Sequence, residues 1–179
     1  MCPSIYLGPV QVGRCEHLVV VKARVRDYQA GDQSDLVALS LRAWAPVFAS
    51  LEQVLGSEIF LRLQPDWRRR QESAVREVLA GSGGRTWVAE TERGVVGFVA
   101  ATLQSEGVGE IQMLAVDPDD QNQGIGTALT GSATAWLRGS GATIAVVETG
   151  GDPGHAPARR VYEKAGYTLL PIARYLIAL

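Results

Sequence analysis

Cysteine and histidine are scarce in this chain, with two of each among 179 residues. Cys2 and Cys15 sit near the start with no partner at metal-ligand spacing, and the histidines, His17 and His155, are far apart. This argues against a zinc site or a disulfide framework, so no metal is expected, and it suits a reducing compartment. No apolar run reaches the ~18 residues of a membrane span. Met1 to Gly13 also lacks the charged-then-apolar order of a signal peptide. A soluble, cytoplasmic protein without a membrane partner is the expectation. Neither sign of charge dominates, because 17 basic residues face 19 acidic ones and the net charge is −2. A field that would gather nucleic acid is therefore missing. Two phosphate-binding signatures are absent as well: no glycine loop ends in Gly-Lys-Ser/Thr, and no first strand leads into Gly-x-Gly-x-x-Gly.

What is present is a globular balance, 46% hydrophobic and 20% charged, enough apolar surface to offset ordering entropy in one domain. Residues 1–17, with Pro3, Gly8, Pro9 and Gly13, read as a loose arm or an extra edge strand. Residues 18–179 read as a single domain. Leu18–Val25 is a valine-rich first strand. Helical spacing follows from Asp35 to Gly56, where Pro46 is expected to break or restart the helix. Asp66–Ala80 is a second helical stretch, closed by the glycines after it. Thr86–Glu90, Val95–Leu103 and Glu110–Val116 read as an antiparallel meander. The order then changes to helix (Gly124–Ser140), strand (Thr143–Val147), helix (Ala156–Ala165) and two closing strands, Tyr167–Leu170 and Ala173–Ala178. The fold class is α+β with α/β-like layers, a mixed sheet flanked by helices.

The most informative segment joins a strand to a helix: Leu114-Ala115-Val116-Asp117-Pro118-Asp119-Asp120-Gln121-Asn122-Gln123-Gly124-Ile125-Gly126-Thr127. A helix start offers unpaired backbone N–H groups and a partial positive charge, which suit a phosphate. Gly124 and Gly126 either clear the approach to the backbone or simply ease a tight turn. A second block, Ala158-Arg159-Arg160-Val161-Tyr162-Glu163-Lys164-Ala165-Gly166-Tyr167, forms a helix whose packing face is Ala158, Val161 and Ala165, ended by Gly166.

Together the two blocks resemble the GNAT superfamily of N-acyltransferases. Gln121, Gly124 and Gly126 match its pyrophosphate motif, and the second block matches its final helix and the aromatic strand beyond. The resemblance implies a splayed mixed sheet of six to seven strands and acetyl-CoA as cosubstrate. It implies direct attack by an amine on the thioester in a ternary complex. The backbone of Leu114, Ala115 and Val116 would bond the acetyl carbonyl and pantetheine. Gln121, Asn122, Gln123, Gly124, Ile125, Gly126 and Thr127 would form the diphosphate loop. Tyr162 matches the proton donor to the departing thiolate. Glu148, ahead of Glu110, is the candidate base, while His155 stands where relatives have Asn and would bond pantetheine or act as a base. Asn122 and Gln123 are neutral where relatives often carry Arg or Lys, so Arg159 and Arg160 are candidates for the coenzyme's 3′-phosphate.

The acceptor is a small-molecule or peptide amine of unspecified kind, and a homodimer stays open. Trp44, Phe48, Phe60 and Trp67 either line an acceptor pocket or belong to the core. An inactive acyl-CoA-binding sensor of the same fold is the rival reading, and a longer acyl chain is a third.

Overall fold

Strands rich in Val and Ala and helices with one apolar stripe sort themselves into three layers. The computed structural model describes residues 23–104 and 107–179, and one mixed sheet runs through them in the order β1-β2-β3-β4-β5. The strands are β1 (Arg24–Asp27), β2 (Gly84–Thr91), β3 (Gly94–Leu103), β4 (Val108–Val116) and β5 (Ile144–Val147). The first four are antiparallel neighbours, and β5 lies parallel to β4. That parallel pair needs a crossover, supplied by helix α3 (Ile125–Gly139).

Alternation along the strands feeds two cores. On one face Val88, Phe98 and Ala115 pack against Leu36, Val37 and Leu39 of α1 (Gln33–Leu63) and Val75 of α2 (Trp67–Ala80). On the other, Ala89, Val99, Ala101 and Ile111 pack against Ile125, Leu129, Ala133 and Leu137 of α3. Residues at i, i+4, i+8 and i+12 thus put one stripe of α3 onto the sheet. Asp66 caps α2 by accepting from the Arg69 amide at 3.3 Å. A fourth helix, α4 (Ala156–Lys164), packs against α3.

Three expectations need correction. The first long helix runs straight through Pro46 and is interrupted instead at Gly56, whose φ of 75° is left-handed. Pro46 is exposed, and its ring costs the helix the hydrogen bond to the Arg42 carbonyl without ending it. The sheet has five strands among the described residues, not six to seven, because Tyr167–Leu170 and Ala173–Ala178 form no ladder there. Their apolar content was read as strand, but a strand needs a partner edge. Finally, β1 starts at Arg24, and the arm at 1–17 together with the start of the first expected strand, Leu18 to Lys22, lies outside the described residues.

Candidate active site

The site is built where β4 and β5 part. Their ladder runs from Val108↔Ile144 to Ile111↔Val147 and stops. Beyond it, Met113–Val116 stays paired with β3, and Gln112–Val116 has no partner on the β5 side among the described residues. The β3–β4 register slips between Ala100↔Met113 and Ala101↔Ile111, so Gln112 is the extra residue of a bulge. A bulge bends its strand and increases the local twist, which turns β4 away from β5. At ~3.3 Å per residue, about 16 Å of β4 edge is left open to a ligand's amides. Leu114, Ala115 and Val116, the predicted acetyl and pantetheine contacts, all lie on this stretch.

The same end of β4 leads to the start of α3. Asp117 accepts from the Asp119 amide at 3.2 Å and begins a short 3-10 turn over Pro118–Asp120. Asn122 (φ 62°) and Gly124 (φ 82°) are left-handed, and this double reversal delivers the chain into the helix. Among the described residues no side chain caps α3, and its first internal donor is Ala128, bonded to the Gly124 carbonyl at 3.0 Å. The amides of Ile125, Gly126 and Thr127 are therefore left for a ligand. Gln123 and Asn122 are exposed beside them, whereas the Ile125 side chain is buried in the core, so only its backbone can take part.

Two loop residues have roles that the motif did not reveal. Gln121 donates its amide to the Val116 carbonyl at 3.2 Å, tying the loop to the strand end rather than reaching for an anion. A Cβ on Gly126 would lie 3.4 Å from Val161 Cγ2 and 3.7 Å from Val116 Cγ2. Gly126 thus lets β4, α3 and α4 converge, and the next residue of α4 after Val161 is Tyr162. Among the described residues the Tyr162 hydroxyl has no hydrogen-bond partner, and the residue as a whole is 8% exposed. Burial, helped by Tyr167 with its ring centroid 6.0 Å away, pushes the Tyr162 phenol up to about 12. It stays protonated throughout the neutral range.

The two candidate bases are separated by the parting of the strands. Glu110 pairs with Val146 in the closed part and accepts from Gln104 at 2.6 Å. Glu148 comes directly after the last paired residue of β5 and is exposed at the opening. Ala145 and Val147 pack toward α3, so alternation sends Glu148 toward α1.

The loop after β5 is clamped, a feature no spacing in the sequence announced. Ser50 of α1 donates to Asp152 at 2.8 Å and accepts from the Gly154 amide at 2.9 Å. His155 Nδ1 bonds the other Asp152 oxygen. Burial works to raise the Asp152 carboxyl, but the bonds from Ser50 and His155 prevail and hold it below the usual range. The ring is thereby held through Nδ1, and Nε2 has no hydrogen-bond partner among the described residues. Arg159 donates to the Gly150 and Asp152 carbonyls, so it holds this loop and is not available to a 3′-phosphate in this conformation, while Arg160 is exposed.

Charge near the loop before α3 is managed by two arginines that sequence reading also missed. Arg42 contacts Asp117 at 2.6 Å, and Arg93 pairs with the buried Asp120. Of the acceptor-side aromatics, Phe48 stacks on Trp67 at 4.4 Å and meets Phe60 edge-on at 6.5 Å. The stack joins α1 to α2, the edge contact lies within α1, and Trp44 joins the adjoining core. A cavity of about 190 Å³ lined by Tyr28, Leu79, Thr86, Ala100 and Gln112 reaches the first residue of the open stretch of β4 and shares none of the candidate residues. Among the described residues there is no group of three or more His, Cys, Asp or Glu able to hold a metal, and no helix is long and apolar enough to cross a membrane.

Comparison with solved structures places this geometry. A GNAT-family acetyltransferase from Brucella melitensis, solved in complex with acetyl-CoA, is 20% identical over 83% of this chain and 84% of its own, with a TM-score of 0.58. A GNAT-family acetyltransferase from Staphylococcus aureus is 18% identical over 81% and 84%, at 0.60. An aminoglycoside antibiotic 6′-N-acetyltransferase from Acinetobacter haemolyticus is 13% identical over 87% and 98%, at 0.61. At these identities the likeness is one of fold. No curated protein matches the sequence. The sequence profile of the acetyltransferase (GNAT) family matches residues 51–167, from α1 through both motif blocks to Tyr167, and the chain belongs to that family.

Proposed function

We propose that this protein transfers the acetyl group of acetyl-CoA to a primary amine by direct attack within a ternary complex. The observation that carries the reading is the parting of β4 from β5 beside the uncapped start of α3, which sets an open strand edge next to three free amides. An extended amide-bearing arm fits the first and a diphosphate the second. The solved Brucella relative, which holds acetyl-CoA, supports the same reading.

The chemistry derives from what surrounds the opening. The amine nitrogen attacks the thioester carbonyl carbon, the C–S bond breaks, and the nitrogen sheds its extra proton. Glu148, exposed at the opening, accepts that proton through a water. The departing thiolate, whose parent thiol ionises near ~8.5, takes a hydrogen bond and then a proton from the Tyr162 hydroxyl. Backbone groups of Leu114 and Ala115 hold the acyl carbonyl and pantetheine, and His155 Nε2 bonds the arm from the α4 side. Glu110 is the weaker candidate for the base, since its carboxylate is already engaged by Gln104.

Acetyl-CoA should raise the melting temperature more than ATP does, and an amine panel read by thiol release should give turnover with at least one acceptor. No shift with either acetyl-CoA or CoA, or an equal shift with ATP, refutes the proposal. A shift without thiol release from any amine points to an acyl-CoA-binding sensor.

A further inference from the structure

The loop between β5 and α4 carries a buried polar relay that ends on an unused nitrogen. The Asp152 side chain is only 4% exposed, and both of its carboxylate oxygens are engaged. One accepts from Ser50 of α1 at 2.8 Å and from the Gly154 amide at 3.0 Å, and the other meets Nδ1 of His155. The fit leaves no room for side chains at two positions. A Cβ on Gly154 would lie 2.7 Å from Ser50 Cβ, and one on Gly150 would overlap Asp152 Oδ1 and His155 Nδ1. Arg159 holds the same loop by its main chain, through the carbonyls of Gly150 and Asp152. Closing the loop onto α1 thus uses Ser50, Arg159 and one oxygen of Asp152. Among the described residues the second oxygen bonds nothing but the ring.

That partner decides what the ring can do. Although burial works to raise it, the Asp152 carboxyl is held below the usual range by the bonds from Ser50 and His155, so at neutral pH it is ionised and can only accept. Nδ1 must therefore carry the ring's hydrogen. In the neutral imidazole this leaves Nε2 with a lone pair, an acceptor and not a donor. The ring stands at the start of α4, on the loop that leaves β5 where it parts from β4, and 19% of its side chain is exposed.

Resting on the acetyl-CoA reading above, we propose that Asp152, braced by Ser50, is a positioning residue that fixes His155 in its Nδ1–H form, so that Nε2 accepts an amide hydrogen from the extended arm of the coenzyme. An arm laid along the open edge of β4 has amide N–H groups to offer. A ring locked as an acceptor takes one of them and turns away a carbonyl. In the other tautomer the N–H of the ring would confront the N–H of the arm, and both donors would go unpaired. The direction of this bond is then set by a carboxylate that never touches the coenzyme, and the carboxylate is held in turn by a helix from the opposite face of the sheet.

The test uses the full chain carrying His17→Gln, which leaves His155 as its one imidazole. A long-range proton–nitrogen correlation spectrum should show His155 protonated on Nδ1 in the free protein, and its Nε2 signal should move when acetyl-CoA is added. Asp152→Asn keeps an acceptor for Ser50 and Gly154 but turns a donor toward the ring. The spectrum should then switch to the Nε2–H form, and the Kd for acetyl-CoA should rise about tenfold. His155→Gln supplies an acceptor that needs no such partner, so in that background Asp152→Asn should change the Kd by less than about twofold. A parent ring protonated on Nε2, a Kd for Asp152→Asn within about twofold of the parent, or an equal rise in both backgrounds overturns the proposal, the last by reducing Asp152 to a loop support. The parent tautomer is read without touching the clamp, so it decides the matter even where Asp152→Asn fails to fold. A parent that transfers acetyl groups but fails these tests loses the positioning alone, whereas a parent that binds no acetyl-CoA loses the underlying reading as well.

Discussion

Removing a single oxygen from Tyr162 tests the catalytic reading most directly. Among the described residues the Tyr162 hydroxyl bonds nothing, so Tyr162→Phe strands no donor or acceptor and leaves packing against Tyr167 in place. Stability at neutral pH should change by less than ~0.5 kcal/mol. Acetyl-CoA affinity should stay within about twofold, because the amides of α3 and the edge of β4 are untouched. Loss of a positioned proton donor costs roughly 10²–10⁴ in rate, about 2.7–5.4 kcal/mol of transition-state stabilisation, and this should fall on kcat. The phenol also leaves a mark on stability. Its folded value near 12 lies above the ordinary value near 10, so the folded state retains a proton that the unfolded chain releases. That contribution is complete below about pH 10 and is lost as pH rises through about 12, at most ~2.7 kcal/mol. Urea melts between pH 9 and 11.5 should show the decline in the parent and a flatter profile in Tyr162→Phe. A kcat within threefold of the parent, or a fall in affinity as large as the fall in kcat, refutes the assignment.

Gly126→Ala meets Val161 at ordinary contact distance and should bind acetyl-CoA within a fewfold of the parent, whereas Gly126→Val drives methyl groups into Val161 and Val116. The valine variant should lose about 1–3 kcal/mol of stability and most of its affinity, read by thermal melts and calorimetry. Among the described residues the fully buried Thr130 hydroxyl has no partner, so Thr130→Val should stabilise by ~1 kcal/mol and raise Tm by roughly 2–4 °C. Arg93→Gln leaves Asp120 buried without its cation. Because Arg93 itself is largely exposed, the stability loss should be modest, ~1–2 kcal/mol. The uncompensated charge should also repel the proposed diphosphate, a fewfold loss of acetyl-CoA affinity that calorimetry at low and high salt should show shrinking as salt rises.

Most of the layered fold was legible because its elements announce themselves locally. The expected Gly124–Ser140 helix is Ile125–Gly139, and the expected Thr143–Val147 strand is Ile144–Val147. Helical period, glycine stops and strand alternation are properties of a few adjacent residues. The misreadings depend on neighbours distant in sequence. Pro46 looked like a break because propensity ignores how exposed the position is, and the true break at Gly56 rests on one dihedral angle. The bulge at Gln112 exists only in register with Ala100 and Ala101. Ser50 reaches Asp152 across 102 positions, and nothing near either residue advertises the other. Even within the motif, glycine spacing marked the right turn but not the convergence of Val116 and Val161 on Gly126.

In the proposed function the diphosphate is gripped by main chain at Ile125, Gly126 and Thr127, and that has a consequence for anyone mapping the site by mutation. Trimming side chains one by one leaves those three donors where they are, so a conventional alanine scan across the loop would come back nearly silent. Only changes that alter the path of the chain, such as a bulky β-branched residue at Gly124 with its φ of 82°, should erase binding. Silence at the neighbouring positions would then be the signature of the site.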